Sequence, residues 1–123
     1  MKKIRRYLEE QVKKDLSKKM VFVGGPRQVG KTTLARRLLA GNKGYLNWDI
    51  AEDREKILKR ELPPAPMLVF DEIHKYRKWR NYLKGLFDGR GQEVKIMVTG
   101  SARLDFYRFG GDSLQGRYHY LRL

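Results

Sequence analysis

The chain has 123 residues, with 28 lysines and arginines against 14 acids and no cysteine, so it can build one hydrophobic core but not two. Disulfides, thiolate metal sites and cysteine nucleophiles are therefore excluded, and no apolar run approaches the roughly 20 residues that span a bilayer. A formal net charge of +14 favours polyanionic partners, whether nucleic acid, an anionic membrane surface or an acidic protein partner.

The first 19 residues hold eight Lys/Arg against three acids and place Ile4, Leu8, Val12 and Leu16 at four-residue spacing, with Tyr7 beside them. That spacing predicts an amphipathic helix. Lys3, Arg6, Lys13 and Lys14 fall away from its apolar stripe. Charge and apolar residues alternate here, so the segment is no secretory signal, and the expected compartment is the cytoplasm. Met20-Val21-Phe22-Val23 then reads as a short buried strand ending in Gly24-Gly25. From Lys31 the period becomes helical, with Leu34, Leu38 and Leu39 inward and Arg36 and Arg37 outward; Gly41-Asn42 ends the helix in the left-handed region.

Tyr45 to Trp48 forms a second strand. Asp49 or Asp53 caps a helix carrying Ile57, Leu58 and Leu62, and Pro63-Pro64-Ala65-Pro66 breaks it. Met67-Leu68-Val69-Phe70 is a third strand, apolar throughout, as a strand covered on both faces would be. Trp79, Tyr82, Leu83, Leu86 and Phe87 make a helical stripe and read as core or interface packing, together with Trp48. Val94 to Thr99 is a fourth strand, and Tyr118 to Leu121 begins a fifth. Strand and helix alternate from residue 20 onward, which argues an α/β fold with a doubly wound, mostly parallel sheet. The whole is expected to be a single domain over residues 1–123.

Gly25-Pro26-Arg27-Gln28-Val29-Gly30-Lys31-Thr32 matches the Walker A phosphate loop in full, with a strand before it and a helix after. Such a loop wraps a phosphate with successive backbone N–H groups, and glycine permits both the φ angles and the close approach. Lys31 would meet the β- and γ-phosphates and the Thr32 hydroxyl would ligate Mg²⁺, with the helix N-terminus facing the anion. Asp71 emerges at the carboxyl end of the third strand, where open α/β sheets bind ligands. It is the second expected metal residue. Glu72 follows as a candidate general base for water. Thr99 or Ser101, at the hydroxyl-bearing end of the fourth strand, is placed to touch the γ-phosphate or water; a plain strand exit explains the same residues. His74 reads as a cap or solvent contact.

The run Gly24 to Thr33, with Phe70-Asp71-Glu72-Ile73-His74-Lys75, Thr99-Gly100-Ser101-Ala102 and Ser113-Leu114-Gln115-Gly116-Arg117-Tyr118, resembles a group of prokaryotic AAA-type ATPases. Their core is generally followed by a helical region and a nuclease-like domain, so this sequence reads as an N-terminal piece. The resemblance implies the strand order 5-1-4-3-2 for a P-loop nucleotide-binding fold. It also implies ATP and Mg²⁺ as cofactors, with Gly25, Pro26, Arg27, Gln28, Val29, Gly30, Lys31, Thr32 and Thr33 around the nucleotide. By the same resemblance Thr32 and Asp71 serve the metal, Glu72 and Ser101 the chemistry, and Arg117 acts on the γ-phosphate in cis or in a neighbouring subunit. The competing readings are a nucleotide-binding piece with negligible turnover and a P-loop small-molecule kinase. The adjacent Asp-Glu pair disfavours the kinase, and the absence of an Asn-Lys-x-Asp motif disfavours a GTPase.

Overall fold

The structure, a computed structural model, describes residues 2–24, 31–41, 43–90, 93–100 and 117–122. In chain order these form helix α1 (Lys2–Leu16), strand β1 (Met20–Gly24), helix α2 (Lys31–Leu39), strand β2 (Tyr45–Asn47) and helix α3 (Ala51–Lys59). Strand β3 (Met67–Asp71), a 3-10 turn (Ile73–Lys75), helix α4 (Trp79–Arg90), strand β4 (Lys95–Gly100) and strand β5 (Tyr118–Arg122) follow. The strands make one sheet ordered β2-β3-β4-β1-β5, and every neighbouring pair is parallel. Read from the other edge this is the expected 5-1-4-3-2 order.

Why these segments sit centrally follows from their composition. β1 and β3 are buried along their whole length, and β4 from Ile96 onward. Side chains alternate along each strand, so each feeds two cores. Met20, Phe22, Leu68, Phe70, Ile96 and Val98 pack with Ile57 of α3, Ile73 of the turn and Trp79, Tyr82 and Leu83 of α4. Val21, Val23, Met67, Val69 and Met97 pack on the other face with Val12 and Leu16 of α1 and Leu34, Ala35 and Leu39 of α2. A one-residue slip of β3 would turn Phe70, which is fully buried, onto the wrong face together with its neighbours. Register is thus fixed by burial, and it carries Asp71, Val69 and Met67 on the α2 side.

Two glycines have clear conformational reasons. Gly41 has φ 86° beyond the end of α2, as expected; Asn42 lies outside the described residues. Gly44 leads into β2 where a Cβ would lie 1.9 Å from the Met67 carbonyl oxygen. Its own carbonyl accepts from the Val69 N–H at 2.8 Å, so the two backbones are too close for any side chain.

Several local expectations are corrected. Neither Asp49 nor Asp53 caps α3: the cap residue is Ile50, with no side-chain cap bond. The Asn47 N–H donates to Asp53 instead, at 3.0 Å, and Lys75 claims Asp49 at 2.8 Å. α3 ends at Lys59 because Arg60 turns left-handed. Leu62 therefore packs on the core from beyond the helix, while Leu58 is exposed. In α1, Val12 and Leu16 are buried as expected, but Tyr7 is 68% exposed. Ile4 and Leu8 lie outside the described side chains.

Candidate functional site

Parallel strands bring their carboxyl ends to one edge of the sheet, so Gly24, Asn47, Asp71 and Gly100 end together. Strand alternation then sorts what they carry. Asp71 pairs in register with Thr99 on one side and Asn47 on the other. It follows Met67 and Val69 on the face that α2 covers. Asp71 is buried, and a buried carboxylate requires donors. The Thr99 hydroxyl donates to its Oδ1 at 2.9 Å, and the Tyr45 hydroxyl donates to its Oδ2.

Tyr45 also joins the strands to α2. Thr32 lies near the same phenol, close enough to oppose the rise of its pKa, and one turn later the Arg36 guanidinium lies 5.5 Å from the ring centroid. Burial, then the Asp71 carboxylate, raise the phenol well above its ordinary pKa, with Thr32 and Arg36 opposing. The phenol therefore stays protonated and a donor at neutral pH. The Tyr45 phenol thus stands between Thr32 and Asp71, the two residues expected to serve a metal.

Glu72 leaves β3 in the left-handed region, φ 61° and ψ 23°, with its N–H still donating to the Thr99 carbonyl at 2.8 Å. Its side chain is 13% exposed. Oε2 is buried and makes no hydrogen bond among the described residues; His74 Nε2 lies 3.4 Å away and Lys75 Nζ 3.6 Å. His74 is no solvent contact but is buried in the 3-10 turn. Burial lowers its pKa, against the Glu72 charge, which raises it. Lys75 is held by Asp49, which raises its pKa first among the causes.

The remaining expected site residues divide by position. Gly25 to Gly30 and Ser101 lie outside the described residues, as does the side chain of Lys31, the first residue of α2. Thr32 and Thr33 are exposed on the first turn of that helix. Arg117 stands elsewhere. Its carbonyl accepts from the Met20 N–H at 2.9 Å, which sets it at the amino ends of β1 and β5. Its guanidinium pairs with Asp88 of α4 at 2.9 Å. The length of a five-residue strand, about 16 Å, lies between this position and the edge that holds Asp71.

Tyr45 is the residue that sequence reasoning missed. The usable signal was the parity of its strand: with Leu46 directed to one core, Tyr45 must face the other, toward α2.

A β4 strand set between β1 and β3, with an acidic β3 end close to the first turn of α2, defines a P-loop nucleotide-binding fold. The AAA domain family matches residues 17–123, and the chain belongs to it. Membership implies nucleotide binding. Among solved structures, a signal transduction ATPase with numerous domains and a tetratricopeptide repeat sensor, from Pyrococcus horikoshii, is similar at TM-score 0.55 and 17% identity. A DNA polymerase III gamma subunit-related protein from Thermotoga maritima is similar at TM-score 0.58 and 9% identity. This chain is covered over 100% and 97% of its length but spans only 22% and 45% of theirs. At these identities the likeness is one of fold. No curated protein matches. Among the described residues no helix is long and apolar enough to cross a membrane.

Proposed function

We propose that this chain is a single ATPase core that binds ATP with magnesium at the carboxyl edge of the sheet and hydrolyses the β–γ phosphoanhydride. The observation that carries this reading is the Tyr45 phenol standing between Asp71 and Thr32, the last residue of the Walker A motif, with the Glu72 carboxylate one residue further on. A carboxylate and a hydroxyl are hard oxygen donors, as Mg²⁺ requires. Among the described residues no group of three or more His, Asp or Glu could hold a metal alone. Mg²⁺ in nucleotide sites is usually held by one or two protein ligands plus phosphates and waters. Bound there, the ion would supply positive charge to the β- and γ-phosphate oxygens.

The protein's own part is positioning and proton transfer. Lys31 meets the phosphates as a point charge, Thr32 presents a hydroxyl lone pair and Asp71 accepts from the ion's water shell. Glu72 takes the proton from the attacking water at a carboxylate oxygen, and Ser101 is assigned to the polar strand end near the γ-phosphate. Arg117, beside the amino end of β5, is assigned to the γ-phosphate, in cis or of a neighbouring subunit. Phosphate release from ATP tests the reading. Turnover with magnesium and none in EDTA is expected. Binding of Mg-ATP without any phosphate release would favour a nucleotide-binding switch, and no binding in either medium would remove the proposal.

A second property rests on exposed charge. Lys13, Lys14 and Lys18 are exposed at the end of α1, as are Arg77 and Lys78 before α4. Weak, sequence-tolerant binding to DNA is the expected result. Four neutralised phosphates give a log–log salt slope near 3.6, or about a hundredfold loss between roughly 50 and 200 mM salt. An anisotropy titration at those two concentrations checks it. Absence of binding at the lower one would leave the charge as a protein-facing surface.

A further inference from the structure

We propose that the Tyr45 hydroxyl is a positioning group for the metal site: it holds the Asp71 carboxylate at a fixed orientation relative to Thr32, and so sets how strongly ATP affinity depends on magnesium. The inference rests on the proposed function, since it presumes that Asp71 and Thr32 serve the metal. Three observations point the same way. The phenol donates to the buried Asp71 carboxylate at the end of β3. The same phenol lies near Thr32. Its ring lies beside Arg36, four residues along α2 from Thr32.

A tyrosine serving only to fill space at the edge of the α2-side core needs none of this, since any backbone carbonyl would satisfy its hydroxyl. Here the ring spans from its register partner Val69 two residues along β3 to reach Asp71. An aspartate alone turns broadly about its last torsion. With Thr99 on Oδ1 and Tyr45 on Oδ2, both oxygens are fixed and the carboxylate plane with them. Each carboxylate oxygen has a second acceptor site, so both hydrogen bonds persist when the ion's waters arrive. Mg²⁺ demands near-ideal octahedral geometry, which makes ligand orientation decisive. Groups that orient a metal ligand typically alter metal affinity about 10–100-fold when removed.

The test is Tyr45→Phe, which keeps the ring and its contact with Arg36 and deletes the donor. ATP affinity is measured by calorimetry in magnesium and in EDTA, with the fold checked by circular dichroism. The ratio of the two affinities is expected to fall about tenfold, with the EDTA value unchanged. Thr99→Val has the same shape as the parent side chain and lacks the other donor, so it must move the ratio in the same direction. A ratio at the parent's value in either folded variant overturns the proposal, as does an equal loss in both media, the mark of a merely structural role. A parent protein that binds ATP equally in both media overturns the metal-site reading itself, and this inference with it.

Discussion

Lys31→Ala is expected to give a folded chain that has lost ATP. Lysine is the first residue of α2, and that helix has no acid in its first turn. A positive charge at a helix N-terminus opposes the macrodipole, by about 0.3–1 kcal/mol. α2 is anchored to the sheet by Leu34, Ala35 and Leu39. A lysine kept at an electrostatically poor position is accounted for by an anion that it meets. Alanine, the best helix former, should therefore leave the melting temperature level or slightly raised. Removing one partner of a hydrogen-bonded charge pair costs about 2–5 kcal/mol, so ATP affinity should fall at least ~30-fold. Calorimetry with Mg-ATP beside a thermal melt reads both quantities. Undiminished affinity in the folded variant would end the phosphate-loop reading of Gly25 to Thr32.

The central strands and the acidic strand end were legible in the sequence for a physical reason, whereas the strand order came from the family resemblance. β1, β3 and β4 are covered on both faces, and such strands are written as unbroken apolar runs that name themselves. Asp71 is visible as the first polar residue after four apolar ones, so its place at the carboxyl edge follows from strand length alone. Tyr45 was hidden because its meaning depends on which strand lies beside β2 and which helix covers that face. Neither is a property of the residues around Tyr45. The α3 cap failed for a related reason: Asp49 and Asp53 are good caps in isolation, but Lys75 and the Asn47 N–H, distant or irregular partners, bind them first. His74 was misplaced because the turn after β3 folds back under the sheet rather than out to solvent.

Glu72→Gln is expected to retain ATP binding and to lose most of the turnover. The backbone at Glu72 carries the first argument. A left-handed conformation disfavours a residue with a Cβ by roughly 1–2 kcal/mol, and glycine would adopt it freely. The second concerns the carboxylate, held 13% exposed with Oε2 lacking a hydrogen bond among the described residues. Leaving a buried acceptor unsatisfied costs about 1–3 kcal/mol, more when it is charged. Lys75 Nζ, 3.6 Å away, offsets part of this. Burial lowers the pKa of His74, which keeps the ring neutral at neutral pH, and Lys75 is committed to Asp49 at 2.8 Å. Backbone strain held at a strand end is the mark of a residue retained for reaction rather than stability. Glutamine keeps the shape, removes the buried charge and cannot take a proton from water. The variant should thus be at least as stable as the parent and bind Mg-ATP within about twofold, while single-turnover phosphate release slows by about 10²–10⁴. Equal rates in the two proteins would leave Glu72 a turn residue and move the base elsewhere.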